Sequence, residues 1–291
     1  MSATSAVPLR EPPLPEGRDF DGHPLKGLRY KRFNGELFAG RVSAEDVGQG
    51  DLGDCFFLSS LVAFAQSDPR ALRRAIADNG DGTYTVTFQE RKRGKVVALP
   101  VRVDTRFPVD RHGKQKFAKG LRSAPSGQEL WPALFEKAYA AAHEGYVHIN
   151  QGGDAGAAIS SLSGRASDIL TPSRHSAAAL WQRIVRARAA RIPLIAGTPE
   201  KRELAHRTGR SDLAGLIDDH YYAVVGAVER PSGRFIKLYT PLVDFTSAQV
   251  NTPIAQDNRQ RRLTIALTDF RRDFDQLVIN APATRATRGR A

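Results

Sequence analysis

Gln49-Gly50-Asp51-Leu52-Gly53-Asp54-Cys55-Phe56-Phe57-Leu58-Ser59-Ser60-Leu61 is the stretch on which the reading of this chain turns. A turn rich in Gly and Asp gives way at Cys55 to an apolar run that reads as helix to about Gln66. Cys55 is the only cysteine among 291 residues. At the first position of a helix its thiol meets the positive end of the dipole and free N–H groups, both of which favour the nucleophilic thiolate. A lone cysteine also has a plainer reading, as a small buried hydrophobe with no chemistry.

Six residues upstream, Gln49 precedes a turn containing Gly50 and Gly53. Such a turn can fold the Gln49 amide back beside the Cys55 backbone N–H, a pair of donors suited to an oxyanion. The plainer reading of Gln49 is a surface loop residue. A thiol nucleophile also needs a base and a group to orient that base. Of the seven histidines, His220 is the best placed, because it follows the loop 215–219 and opens an apolar strand. No two histidines stand at zinc-ligand spacing, and one cysteine excludes a thiolate cluster.

Working outward, residues 1–25 form a proline-rich segment expected to be a flexible arm. Residues 26–166 read as a mostly helical N-lobe with Cys55, and residues 167–281 as a β-rich C-lobe with His220. Residues 282–291 are a basic tail. In the N-lobe, Pro69 opens a second helix through Ala77, and Asp78–Gly82 is a turn that lacks the later ligands of a calcium loop. Tyr84, Val86 and Phe88 alternate in one strand and Val97, Leu99, Val101 and Val103 in the next, about an Arg93-Gly94 turn. Helices are expected over 129–143, 154–162 and 177–190. Strands are expected at 192–196, 220–228, 234–239, 262–266 and 276–279.

The formal net charge of +12 is concentrated in the second half. It is interspersed with acids and forms no long basic block, so no dedicated nucleic-acid site is expected. Arg183, Arg186, Arg188 and Arg191 fit one solvated helix. No segment is apolar for long enough to span a membrane, no signal peptide is read at the N-terminus, and no intrachain disulfide can form. These features suit a cytoplasmic protein.

The Gln49–Leu61 segment resembles the active-site segment of calpain-type cysteine proteases, Q-G-x-L-G-D-C-W/F-x-L. Glu129-Leu-Trp-Pro-Ala-Leu-Phe-Glu-Lys-Ala-Tyr-Ala140 is similar to the family's E-F/L-W-x-x-L-L-E-K-A-Y-A helix. His220-Tyr-Tyr-Ala-Val-Val-Gly-Ala resembles its H-A-Y-x-V-x-G-A strand, and Val101–Asp104 and Leu267–Ile279 agree in order. The resemblance implies an α+β, papain-like two-lobe fold that hydrolyses peptide bonds in protein or peptide substrates through an acyl-thioester. It assigns Cys55 as nucleophile, His220 as general base and acid, and Gln49 as oxyanion donor. One position departs from the pattern: Thr240 stands where the family has the Asn that orients the histidine, and Leu242 where it has Trp. Asp218, Asp219, Asp244 or Asn251 are alternative orienters. The resemblance also implies calcium held by Asp46 and Glu129; a turn cap and a helix start are the plainer readings of these two acids. The alternative functions are an impaired pseudo-protease binding module and a Cys/His acyl transferase or deamidase.

Overall fold

The computed structural model describes residues 7–18, 22, 24–200, 203, 205–206, 213, 215–243 and 261–281. The basic tail 282–291, Asp244 and Asn251 lie outside the described residues. The chain is α+β and two-lobed.

At the centre lies helix α1, Cys55–Ser67. It is buried along its whole length except Gln66, which explains an apolar run with no polar stripe. Its two mid-helix serines are satisfied without water: Ser60 Oγ donates to Phe56 O at 2.8 Å and Ser59 Oγ to Tyr221 O at 2.6 Å. Asp68 ends α1 and caps α2, Pro69–Ala75, by accepting from Ala71 N at 3.2 Å. The second helix is shorter than the sequence suggests. From Ile76 the chain turns extended, because Ile76 pairs with Val86 at the edge of a sheet.

That sheet joins β1 (Ile76–Asp78), β2 (Thr83–Lys92) and β3 (Lys95–Asp104), all antiparallel. Arg93 and Gly94 both have positive φ, 50° and 76°, as a tight hairpin turn between twisted strands demands. Helix α3, Trp131–Ala142, packs on it. Tyr139 of α3 stacks on Phe57 of α1 at 3.9 Å and meets Phe88 edge-on at 5.7 Å, and these rings form the N-lobe core. Two short helices follow, α4 (Tyr146–Ile149) and α5 (Ala155–Ser161).

Residues 7–18 of the expected flexible arm lie on the N-lobe. The cause is Lys137 of α3, whose side chain is fully buried and whose ammonium needs partners. It finds Asp104, the Arg106 carbonyl and Glu11 of the arm, each at 2.7 Å.

The C-lobe is a six-stranded antiparallel sheet of β4 (Ser167–Leu170), β5 (Leu194–Gly197), β6 (Tyr221–Arg230), β7 (Gly233–Tyr239), β8 (Arg262–Ala266) and β9 (Gln276–Asn280). Its spatial order is β4-β9-β5-β6-β7-β8. Both faces are covered. Ile195, Ala223, Val225, Tyr239 and Val278 pack toward the core that contains α1. Leu194, Tyr222, Val224, Leu238 and Leu277 point the other way, to a second core. There they meet α6 (Ala177–Ala189) through Leu180, Trp181 and Ile184, and α7 (Leu267–Asp273) through Phe270. The period-two alternation in these strands therefore separates two apolar layers rather than core from solvent.

Candidate active site

Cys55 is the first residue of α1, and the C-lobe sheet is packed along that helix, so the thiol faces the start of β6. The backbone N–H groups of Phe56 and Tyr221 favour the thiolate. Only 8% of Cys55 is exposed. The sequence favours thiolate at a helix start, yet here burial outweighs the N–H groups. The thiol is pushed up to about 12, first by desolvation and then by the negative charges of Asp54 and Asp219.

His220 immediately precedes β6 and is 4% exposed. Thr198 fixes its backbone on both sides: Thr198 N–H donates to His220 O at 2.9 Å, and the Thr198 hydroxyl accepts from His220 N at 3.1 Å. Asp219, just before it, takes a positive φ of 46°, a conformation Asp tolerates better than most residues. Tyr222 meets the imidazole edge-on at 4.8 Å. Burial alone pushes His220 down to about 3. In this structure thiol and imidazole are therefore both neutral, and no hydrogen bond joins them among the described residues.

Thr240, the residue at the position of the family's Asn, lies against the His220 ring. His220 Nε2 and Thr240 Oγ1 are 3.0 Å apart. The same hydroxyl accepts from Leu242 N–H at 3.2 Å. A hydroxyl has one proton and two lone pairs. With one lone pair taken by Leu242, Oγ1 can either accept from a protonated Nε2 or donate to a bare one. An asparagine carbonyl would only accept, and so would hold the proton on Nε2 and leave Nδ1 free. Asp219, a proposed substitute, is exposed.

Gln49 is 3% exposed, and its Nε2 donates to Leu52 O at 2.8 Å, which closes the Gly/Asp turn under Cys55. Its Oε1 is buried without a partner among the described residues. Its backbone reaches across the lobes: Gln49 N–H donates to Pro241 O at 2.8 Å. Gln49 is thereby tied to the residue that follows Thr240.

Sequence reasoning passed over three charged groups around this centre. Arg261, just before β8 and 9% exposed, sends its guanidinium between the lobes to the carbonyls of Val47, Pro241 and Glu45. Its own carbonyl accepts from Thr240 N–H at 3.0 Å. Glu136 of α3 faces Asp54, the residue before the nucleophile, and both carboxyls are buried. Burial raises both; the Asp54 charge raises Glu136 further, whereas Glu136 favours ionised Asp54 by hydrogen bonding, so the pair keeps its proton at neutral pH on the Glu136 side. One Glu136 oxygen accepts from Ala118 N–H at 2.9 Å. The third group is Arg122, which reaches the two acids expected to hold calcium.

Asp46 and Glu129 lie together beneath the Gly/Asp turn, 1% and 0% exposed. Asp46 Oδ1 accepts from Arg122 Nη2 at 2.9 Å and Nε at 3.1 Å, and Oδ2 from Ser43 N–H at 2.7 Å. Glu129 Oε1 accepts from Ala39 N–H at 2.9 Å. Burial and the neighbouring Asp46 charge push Glu129 up to about 7. Among the described residues no group of three or more His, Cys, Asp or Glu is placed to hold a metal ion. No described helix is long and apolar enough to cross a membrane.

Cys55 on a buried helix start, with His220 presented to it by the facing lobe, defines the class: a two-lobe, papain-like cysteine peptidase domain. More narrowly, the chain belongs to the calpain family, whose cysteine protease model matches residues 25–250. It is similar to calpain-type cysteine protease DEK1 of Zea mays, 31% identical over 213 residues that make up 70% of this chain and 9% of the relative. Human calpain-12 is 29% identical over 239 residues, 76% of this chain and 31% of that protein. Human calpain-9 is 30% identical over 196 residues, 66% of this chain and 27% of that protein. The chain thus spans under a third of the length of each of these relatives.

Proposed function

We propose that this domain is a cysteine endopeptidase that cleaves peptide bonds through an acyl-thioester on Cys55. The contact that carries the reading is the 3.0 Å approach of His220 Nε2 to Thr240 Oγ1, which holds the imidazole at the edge of the lobe that faces the thiol. The thiol and imidazole start neutral, so the proton moves from sulfur to His220 as the sulfur attacks the substrate carbonyl, rather than beforehand. Cys55 N–H and the Gln49 amide stabilise the developing oxyanion. The C–N bond breaks, the imidazolium proton goes to the leaving amine, and the acyl group stays on sulfur. Water then adds to the thioester with its proton passing to His220. The C–S bond breaks and the thiol regains its proton. The substrate is a protein or peptide, and a single unpaired thiol suits work in the cytoplasm.

The second reading is a catalytically impaired binding module, favoured by the missing Cys55–His220 hydrogen bond and by Thr240 in place of an amide. A peptidyl electrophile that alkylates activated thiols separates the two. For the protease, mass spectrometry finds stoichiometric addition at Cys55 that His220→Ala abolishes, and a peptide library is cleaved. Labelling no faster than that of glutathione at the same pH would sink the proposal. Capture of an added amine by the acyl group, in place of hydrolysis, would assign an acyl transferase.

A further inference from the structure

We propose that Arg122 is the resident cation of the Asp46–Glu129 pocket, so that this peptidase domain holds its shape without calcium. The proposal does not depend on the peptidase reading, because its test reads stability and metal binding.

The pocket was expected to hold calcium, and its donor set argues against that ion. Calcium takes about six to eight oxygen ligands at roughly 2.3–2.6 Å. Both Asp46 oxygens are instead engaged by hydrogen-bond donors. Oδ2 takes the Ser43 N–H at 2.7 Å; Oδ1 takes the Ser43 hydroxyl at 3.0 Å and two guanidinium nitrogens at 2.9 and 3.1 Å. Ser43 and Asp46 form a reciprocal cap around the short turn Ala44–Asp46, so these donors belong to the backbone fold of the turn. Glu129 has one oxygen on Ala39 N–H and only Oε2 without a partner among the described residues.

Arg122 is itself built in. Its carbonyl accepts from Glu129 N–H at 3.0 Å, which sets the arginine beside the glutamate. Its neighbour Leu121 donates its N–H to Asp46 O at 2.9 Å. Gly40, at φ 139°, leaves room for the guanidinium: a Cβ there would stand 3.2 Å from Arg122 Nη1. The guanidinium thus reaches Asp46 through two nitrogens that converge on Oδ1, a charge-assisted contact stronger than one between neutral groups. A calcium ion entering here would displace that contact and leave a positive guanidinium beside a divalent cation.

Thermal unfolding in chelator and in millimolar calcium, together with terbium luminescence sensitised by the nearby Trp131, tests this. Wild type is expected to unfold at the same temperature in both and to give no saturable terbium signal at micromolar ion. Arg122→Ala is expected to unfold several degrees lower in chelator, to regain part of that in calcium, and to bind terbium at least tenfold more tightly than wild type. Adding Asp46→Asn to Arg122→Ala removes the unpaired charge, restores stability in chelator and abolishes the calcium response. If Arg122→Ala does not fold, Arg122→Gln keeps a donor on Asp46 without the charge and carries the same comparison. A saturable calcium-dependent rise in wild type that Asp46→Asn removes would overturn the proposal. So would an arginine variant as stable, and as indifferent to calcium, as wild type.

Discussion

The two halves of the active site are held by different physics. Cys55 is placed by packing: its helix is buried along almost its whole length, and its position follows from the shape of the core around Phe57 and Tyr139. His220 is placed by hydrogen bonds at the end of a strand, through the hydroxyls of Thr198 and Thr240. The first arrangement is rigid, but it leaves the thiol dry and protonated. The second is adjustable, because a hydroxyl can donate or accept, and it leaves the imidazole's proton undecided. Damage on the cysteine side should therefore appear as lost stability, and damage on the histidine side as lost rate in an intact fold.

The largest expected effect is that of His220→Ala, which removes the base and drops kcat/KM at least about 10³-fold, with a melting temperature within a few degrees of wild type. A melting temperature that fell in step with the rate would erase the distinction between the two sides. Thr240→Val keeps the shape but loses the hydroxyl. It should lower kcat about 10- to 100-fold with KM unchanged, whereas Thr240→Asn, which holds the proton on Nε2, should raise kcat. Steady-state kinetics on one peptide substrate reads both, and a fall with Asn would show that some other group orients the ring.

On the stability side, Arg261→Met removes the guanidinium from the carbonyls of Val47 and Glu45 and leaves Pro241 O with the Gln49 N–H alone. It should cost about 1–3 kcal/mol in denaturant unfolding. The smallest effect is the pH dependence set by Asp54 and Glu136. Their folded values are raised above the ordinary carboxylate range of about 4. The native state therefore holds more protons than the unfolded chain, and stability from this pair is full below about pH 4 and lost as pH rises through the raised values. Glu136→Gln gives Asp54 a permanent N–H donor, so its stability should lie above wild type at pH 8 and vary less between pH 5 and 8. A parallel pH curve for the variant would show that the pair does not share a proton.

Much of this was legible in the sequence, for identifiable reasons. An apolar run without a polar stripe has to be a buried helix, which located α1. Strict alternation located β2 and β3, and the resemblance put forward Thr240, at the position of the family's Asn, as one of several candidate orienters of His220. Charged residues were the blind spot. Arg122, Arg261 and Glu136 look like surface charge in a basic chain, and their partners lie far off along it. Arg261 reaches Val47 and Glu45, and Arg122 reaches Asp46. The strand Ser167–Leu170 was also missed. It is short and carries two exposed residues, so it resembled a boundary until β9 paired with it. The proline-rich residues of the arm gave no sign that Glu11 would seal Lys137.

The tie between Gln49 and Pro241 has a mechanical consequence. Gln49, the proposed oxyanion donor, belongs to one lobe and Thr240, which holds the imidazole, to the other, yet Gln49 N–H bonds Pro241 O and Arg261 clamps both segments. The two catalytic duties are coupled like parts on a single hinge pin. Parting the lobes disables both together, and no intermediate opening retains one without the other. Inactivation on mild heating should therefore be abrupt and complete, and should come before either lobe loses its helices or sheet.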